Sequence, residues 1–214
     1  MQPTDRFALL LQRPKEAIPL DEMAFLIAAH AHPELDVGAQ LARLDDLAAR
    51  CATATRDGVL AQLFGAEGFH GNEDDYYDPE NSMLDTVLDR HVGIPITLSV
   101  LAIEVARRVG VTLTGIGAPG HFIVRDESDR TYFDPFNRAR VLDDHERARL
   151  YGAAPLEPSS SVEIVGRMLA NLKGIYVQRG DANSLRWVMR LRVLLPGAPA
   201  SERAELKRLM APLN

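Results

Sequence analysis

Residues 94–110 read IPITLSVLAIEVARRVG, a stretch apolar almost all the way round a helical wheel. A surface helix keeps a polar face, so a helix without one must be enclosed on every side. The segment is expected to be a central, buried helix around which the rest of the chain is laid. Pro95 suits its first turn, where no backbone N–H is needed. Arg107 and Arg108 suit the negative C-terminal end, and Gly110 suits the left-handed position just beyond it. A chain of 214 residues is long enough to enclose such a helix in one large domain.

Before this segment the apolar positions recur at helical spacing. Met23, Leu26 and Ile27, then Leu41, Leu44 and Leu47, mark helix from Leu20 to about Thr55, divided in two by His32-Pro33. A shorter helix is expected over residues 57–64, and Asn81 or Ser82 is placed to cap one beginning SMLDTVLDRH. After the segment the period changes to two, and VTLTGIG opens a run of strands. The C-terminal stretches GRMLANLKGIYVQRG and ANSLRWVMRLRVLLP then read as helix, turn and helix, with ASERAELKRLMAPLN supplying one more. Helices, strands and helices in that order give an α+β class: a central buried helix against an antiparallel sheet, N-terminal helices and a C-terminal helical tail. The domain organisation expected is 1–155 for the main domain and 156–214 for a tail packed on it.

The string GHFIVRDESDRTYFDPF carries the clearest chemistry. Residues 121–124 and 131–134 alternate on either side of a turn. If Asp126 and Asp129 close that turn, His121 lies opposite Asp134, where a carboxylate accepts an imidazole N–H and readies the ring as a general base or acid. Ile123 and Tyr132 share that face, while Phe122, Val124 and Phe133 point into the core. The plain structural alternative is that Asp134 merely satisfies His121 and ends a strand at Pro135.

Composition narrows the remaining classes. Residues 1–137 hold 22 acidic and 11 basic side chains, whereas residues 138–214 hold 8 and 13. In the basic third, Arg186 and Arg190 sit one turn apart and are candidates to meet an acidic partner, against the simpler reading of a solvated face. No stripe of basic and aromatic residues points to nucleic acid, and no apolar run is long enough to span a membrane. The first residues show no basic, apolar and small-residue leader pattern, and one cysteine makes neither a disulfide nor a thiolate metal site, so a cytoplasmic protein without a cofactor is expected. His70, Asp74, Asp75 and Asp78 form an acidic loop that matches no zinc or calcium spacing, and no metal is expected.

The order of central helix, strand with His and strand with Asp-Pro resembles the transglutaminase-like fold, whose superfamily includes papain-like cysteine enzymes. GFHGNEDDYYDPENSMLDTVLDRHVGIPITLSVLAIEVARRVG, PGHFIVR, FDPF and MLANLKGIY resemble, more specifically and over almost the whole chain, the bacterial SirB-one family, a branch with a tetratricopeptide-like C-terminus. Leu169, Leu172, Tyr176, Leu185, Met189 and Pro196 fall near tetratricopeptide-type positions, although one such unit cannot stack into a solenoid. The resemblance implies that His121 and Asp134 occupy the positions of the catalytic His and Asp. It places the catalytic Cys at the start of the central helix, after Gly-x, and that position is Pro95.

A proline has no nucleophilic atom. Three replacements present themselves: Thr97, two residues into the helix; Cys51, the sole thiol; and a water activated by the His121–Asp134 pair. Each has a plain counterpart, since a helix-start Thr usually satisfies a backbone donor and a lone Cys usually packs as a small hydrophobe. Asn72, Tyr76, Asn81 and Ser82 are candidate binding residues lining a cleft over the pair. Two functions follow: a non-catalytic module that binds a protein or peptide, or a hydrolase or acyltransferase using His121 and Asp134.

Overall fold

His32 and Pro33 divide the N-terminal helical run as expected. In the computed structural model, which describes residues 1–152, 154 and 156–211, a short helix α1 (Pro3–Leu10) precedes α2 (Leu20–Ala31) and α3 (Val37–Ala49). The Asp36 side chain caps α3 by accepting from the Ala39 N–H. Helix α4 (Arg56–Leu60) is capped by Thr55 and runs into a π-helical turn at Ala61–Ala66. Two-residue strands β1 (His70–Gly71) and β2 (Val92–Gly93) pair in parallel on either side of α5 (Leu84–Arg90). The expected cap of α5 is corrected: Met83 holds that position without a side-chain bond, and Asn81 and Ser82 belong to a 3-10 turn at Pro79–Ser82 capped by Asp78.

The segment 94–110 forms helix α6 (Pro95–Arg108), with Pro95 as its first helical residue and Gly110 at φ +83° beyond its end. Every residue from Pro95 to Ala102 is buried. The helix is enclosed by α2, α3, α4 and α5, by the sheet, and by the long helix that begins at Ser161. Burying so much aliphatic surface, at about 25 cal/mol per Å², is the main drive that orders these layers.

The sheet has strands β3 (Leu113–Ala118), β4 (His121–Asp126), β5 (Tyr132–Asp134) and β6 (Arg140–Leu142) in sequential antiparallel order. Its register corrects the expected hairpin. Val124 pairs with Phe133 and Arg125 with Tyr132, and the Asp126 N–H bonds the Thr131 carbonyl at 2.9 Å. The loop is therefore residues 127–130, with Arg130 left-handed at φ +60°. The pairing has slipped by an even number of residues. Side chains alternate with period two, so an even slip preserves every face whereas an odd one would invert them. Phe122, Val124 and Phe133 accordingly join the core around α6, while Ile123 and Tyr132 join a smaller cluster with Ile116 and Leu142 on the other face.

Helix α7 (Asp144–Tyr151) follows the sheet and covers that second face through Tyr151. Helix α8 (Ser161–Arg179) opens with a reciprocal capping box between Ser160 and Glu163 and ends at Gly180, φ +67°. It turns into α9 (Ala182–Leu194), and α10 (Ala200–Met210) lies against α9. Ile164, Met168, Leu172 and Val188 belong to the same buried cluster as α6, so one core continues across residue 156. The expected boundary at 155 and the last three residues of the terminal helical segment lie outside the described residues.

Candidate active site

His121 begins β4, and Asp134 ends β5. In the observed register they are diagonal neighbours, and the His121 Nε2 lies 2.9 Å from Asp134 Oδ2. Asp134 is buried and accepts two further bonds: Oδ1 from the Phe136 N–H at 3.0 Å, and Oδ2 from the Asn137 amide at 2.6 Å. Burial pushes its carboxyl upward, but the bond and charge of His121, with Asn137 and the Phe136 amide, outweigh it and hold the group below its ordinary value. An ionised carboxylate only accepts, so Nε2 carries a proton, and in the neutral ring Nδ1 then presents the lone pair. Tyr151 stacks on the imidazole at 6.0 Å, and the edge of Phe136 meets it at 6.2 Å. The ring is oriented as a base needs to be.

Above the ring lies a pocket of about 60 Å³ whose lining includes Tyr76, Pro95, Ile96, His121, Arg167 and Asn171. The start of α6 thus faces His121, the juxtaposition expected of a nucleophile and its base. The atom at that place belongs to Pro95. Thr97 is fully buried, does not line the pocket, and its Oγ has no hydrogen-bond partner among the described residues. Cys51 follows α3, where its Sγ donates to the Leu47 carbonyl at 3.6 Å, and burial pushes the thiol up, the opposite of activation.

The sequence model of the transglutaminase-like superfamily matches residues 29–170. A UPF0162 protein of Xylella fastidiosa is 35% identical over 218 residues, covering 88% of this chain and 76% of that protein. The chain belongs to the transglutaminase-like superfamily and to its UPF0162 relatives. A UPF0162 protein of Pseudomonas aeruginosa is 32% identical across 72% of this chain and 60% of its own length. Human F-box only protein 21 is 30% identical across 58% of this chain, which corresponds to 22% of that longer protein. No solved structure matches the chain.

In this transglutaminase-like chain the polar loop between β1 and α5 is a clasp on one side and a cleft wall on the other. Asn81 is buried, donates to the Asp75 and Tyr76 carbonyls at 2.7 and 3.2 Å, and accepts from the Asn72 amide at 3.0 Å. Both asparagines are thereby spent on holding the loop's shape. Ser82 is buried with its hydroxyl unpartnered among the described residues. Tyr76 alone of this group lines the pocket, 38% exposed, with its ring against the edge of Phe136 at 5.8 Å.

The candidate basic pair faces α10. Arg186 donates to the Leu209 carbonyl at 2.9 Å and to Asn183 at 2.8 Å, whereas exposed Arg190 reaches, among the described residues, the Met210 sulfur at 3.5 Å. His70 bonds the Gly68 carbonyl and Asp78 pairs with Arg90. No cluster of metal-ligating side chains occurs among the described residues. None of their helices is long and apolar enough to cross a membrane.

Tyr151, Asn137, Arg167 and Asn171 all contribute to the site without a clear signal in the sequence. Tyr151 arrives on α7, a helix with little apolar periodicity, yet Asp143 followed by Glu146 was a legible start signal, and Asp143 does cap it. Asn137 lies in the turn that Asp134 itself nucleates. Arg167 comes from a helix assigned to the tail and carried no motif.

Proposed function

We propose that the chain is a non-catalytic transglutaminase-like protein, of the SirB-one branch, that binds a protein or peptide in the cleft over His121. The observation carrying this reading is Pro95: at the start of α6, facing the base, it presents ring carbons and no nucleophile. The pocket, about 60 Å³, takes a single small group of such a partner, and its mainly polar lining of His121, Arg167 and Asn171 beside Pro95 offers that group hydrogen bonds. The helix pair α8 and α9 is the tetratricopeptide-like unit of the proposal. It lends the cleft a wall and leaves Arg190 exposed to an acidic partner. Cytoplasmic location, independent of any cofactor, completes the reading.

The second reading is hydrolysis by a water activated at His121, favoured by the three bonds that orient Asp134 and by the available Nδ1. Thr97 joins this reading only if its buried Oγ turns toward the pocket. Purified protein assayed for amidase, esterase and transamidase activity alongside His121→Ala separates the two. The binding reading expects no turnover in either; turnover lost in the variant decides for the hydrolase. Partner capture with an Arg186→Glu, Arg190→Glu variant then checks the basic face, since an unchanged partner set removes it from the proposal.

A further inference from the structure

Arg167 enters the pocket over His121 from α8, and three contacts hold it there without neutralising it. Its Nη2 donates to the His121 carbonyl at 3.1 Å, and its Cζ lies 5.3 Å from the centre of the Phe122 ring, a cation–π stack. Opposite stands Gly117, where a Cβ would fall 2.4 Å from Nη1, so the missing side chain makes room for the guanidinium. The acidic group one helical turn away is Glu163, and its carboxylate is committed to the N–H and hydroxyl of Ser160, both at 2.7 Å. Among the described residues no carboxylate pairs with Arg167. Asn171, one turn further along α8, lines the same pocket, and its side chain makes no hydrogen bond among those residues.

A guanidinium presents five N–H donors in a planar fork whose spacing matches a carboxylate. A fork positioned in advance by the backbone, a ring face and a glycine spends little entropy when it meets one. We propose that this pocket is a carboxylate-recognition site in which Arg167 receives the anion and Asn171 supplies an amide donor. The bound peptide is then one presenting an acidic side chain or its own C-terminal carboxylate. One guanidinium balances one negative charge, and the buried Asp134 carboxylate behind the imidazole disfavours a dianion such as phosphate. The proposal rests on reading the cleft as a peptide site.

The test follows the side-chain Nε–H resonance of Arg167 by NMR on the full chain, assigned through its loss in Arg167→Lys. N-acetylglutamate α-amide offers a side-chain carboxylate, N-acetylalanine a C-terminal one, and N-acetylglutamine α-amide neither. At least one of the first two is expected to shift the resonance saturably, identifying the source, while the amide control does not. Gly117→Ala displaces the guanidinium while keeping its charge, and it is expected to weaken carboxylate binding at least about tenfold. Followed through the neighbouring backbone amides, Arg167→Ala is expected to abolish binding with thermal unfolding little changed, because Arg167 is exposed. No saturable shift with either carboxylate, or an equal shift with the amide, overturns the proposal. Neutral peptides that bind independently of Arg167 overturn it while sparing the peptide reading; carboxylates that bind where no peptide does overturn the peptide reading and spare the anion site.

Discussion

The two ends of α6 handle polar groups in opposite ways. At the C-terminal end, buried Asp21 and Glu104 meet Arg107 and Arg108: Asp21 Oδ2 lies 2.7 Å from Arg108 and 3.1 Å from Arg107, and Glu104 Oε2 lies 3.2 and 2.8 Å from the same pair. Arg108 also reaches Asp45 at 2.6 Å. The two guanidiniums complement the negative end of the helix as well. At the N-terminal end, Thr97 has a buried hydroxyl with no partner, Arg167 has no carboxylate and His121 keeps one nitrogen uncommitted among the described residues. A network saturated at its buried atoms contributes to the fold and, apart from the half-exposed Arg107, leaves little to offer a ligand. An unsaturated one costs stability where it stands, and that residual bonding capacity is what a binding site consists of.

Removing one carboxylate from the saturated end has the largest expected effect. Asp21→Ala leaves two guanidiniums beside a single buried acid and is expected to cost about 3–5 kcal/mol in urea unfolding. His121→Ala at the other end removes one bond from an Asp134 that keeps two donors, and is expected to cost about 1 kcal/mol. Equal losses would erase the distinction between the ends.

Acidity sharpens it further. Burial and the Asp21 carboxylate push Glu104 from its ordinary 4.5 up to about 7. The folded state therefore keeps a proton that the unfolded chain releases, and stability is expected to fall as pH rises from about 4.5 to 7, a slope that Glu104→Gln removes. Asp134 is shifted the other way, so its contribution is present above the unfolded carboxyl range and is lost as pH falls through its lowered value. Asp21, also held low through its bond to Arg108, adds to that acid limb, and Asp134→Asn isolates the site's share. Unfolding measured from pH 3 to 8 in the two variants checks both signs, and a Glu104→Gln profile parallel to wild type would contradict the assignment.

A change of opposite sign is expected from Thr97→Val, which removes an unsatisfied hydroxyl at nearly constant shape and gains up to about 1 kcal/mol. A loss of stability instead would mean that the hydroxyl has a partner in solution. The last comparison is chemical. In a Cys51→Ser background, Pro95→Cys places a thiol at a helix start beside His121, where thiolate is favoured, and it is expected to be alkylated faster than Cys51 in the parent. Labelling no faster than Cys51 would separate position 95 from the base.

Much of this was legible because it depends on local periodicity. The wheel of residues 94–110 predicts α6, which runs from Pro95 to Arg108, and the period-two runs assign Phe122, Val124 and Phe133 to one face and Ile123 and Tyr132 to the other. The hairpin's loop is two residues longer than the sequence predicts, because Arg130 adopts a left-handed conformation that its residue type does not announce. In the sequence Asn81 reads as a helix cap because a capping residue and a loop clasp share one chemistry, and only the position of the Asp75 and Tyr76 carbonyls separates them. Arg186 had the composition of a binding residue until α10 supplied the Leu209 carbonyl.

The sequence by itself determined the elements, the faces they bury and the meeting of His121 with Asp134, because each follows from spacing along a few consecutive residues. Tertiary structure brought Pro95 to the pair as the family resemblance implied, and alone decided that Tyr151 stacks on His121 and that Arg167 arrives with no carboxylate partner among the described residues. Those three come from α6, α7 and α8, and what lies beside what across separate elements is set by how their apolar faces pack together, which no local period encodes.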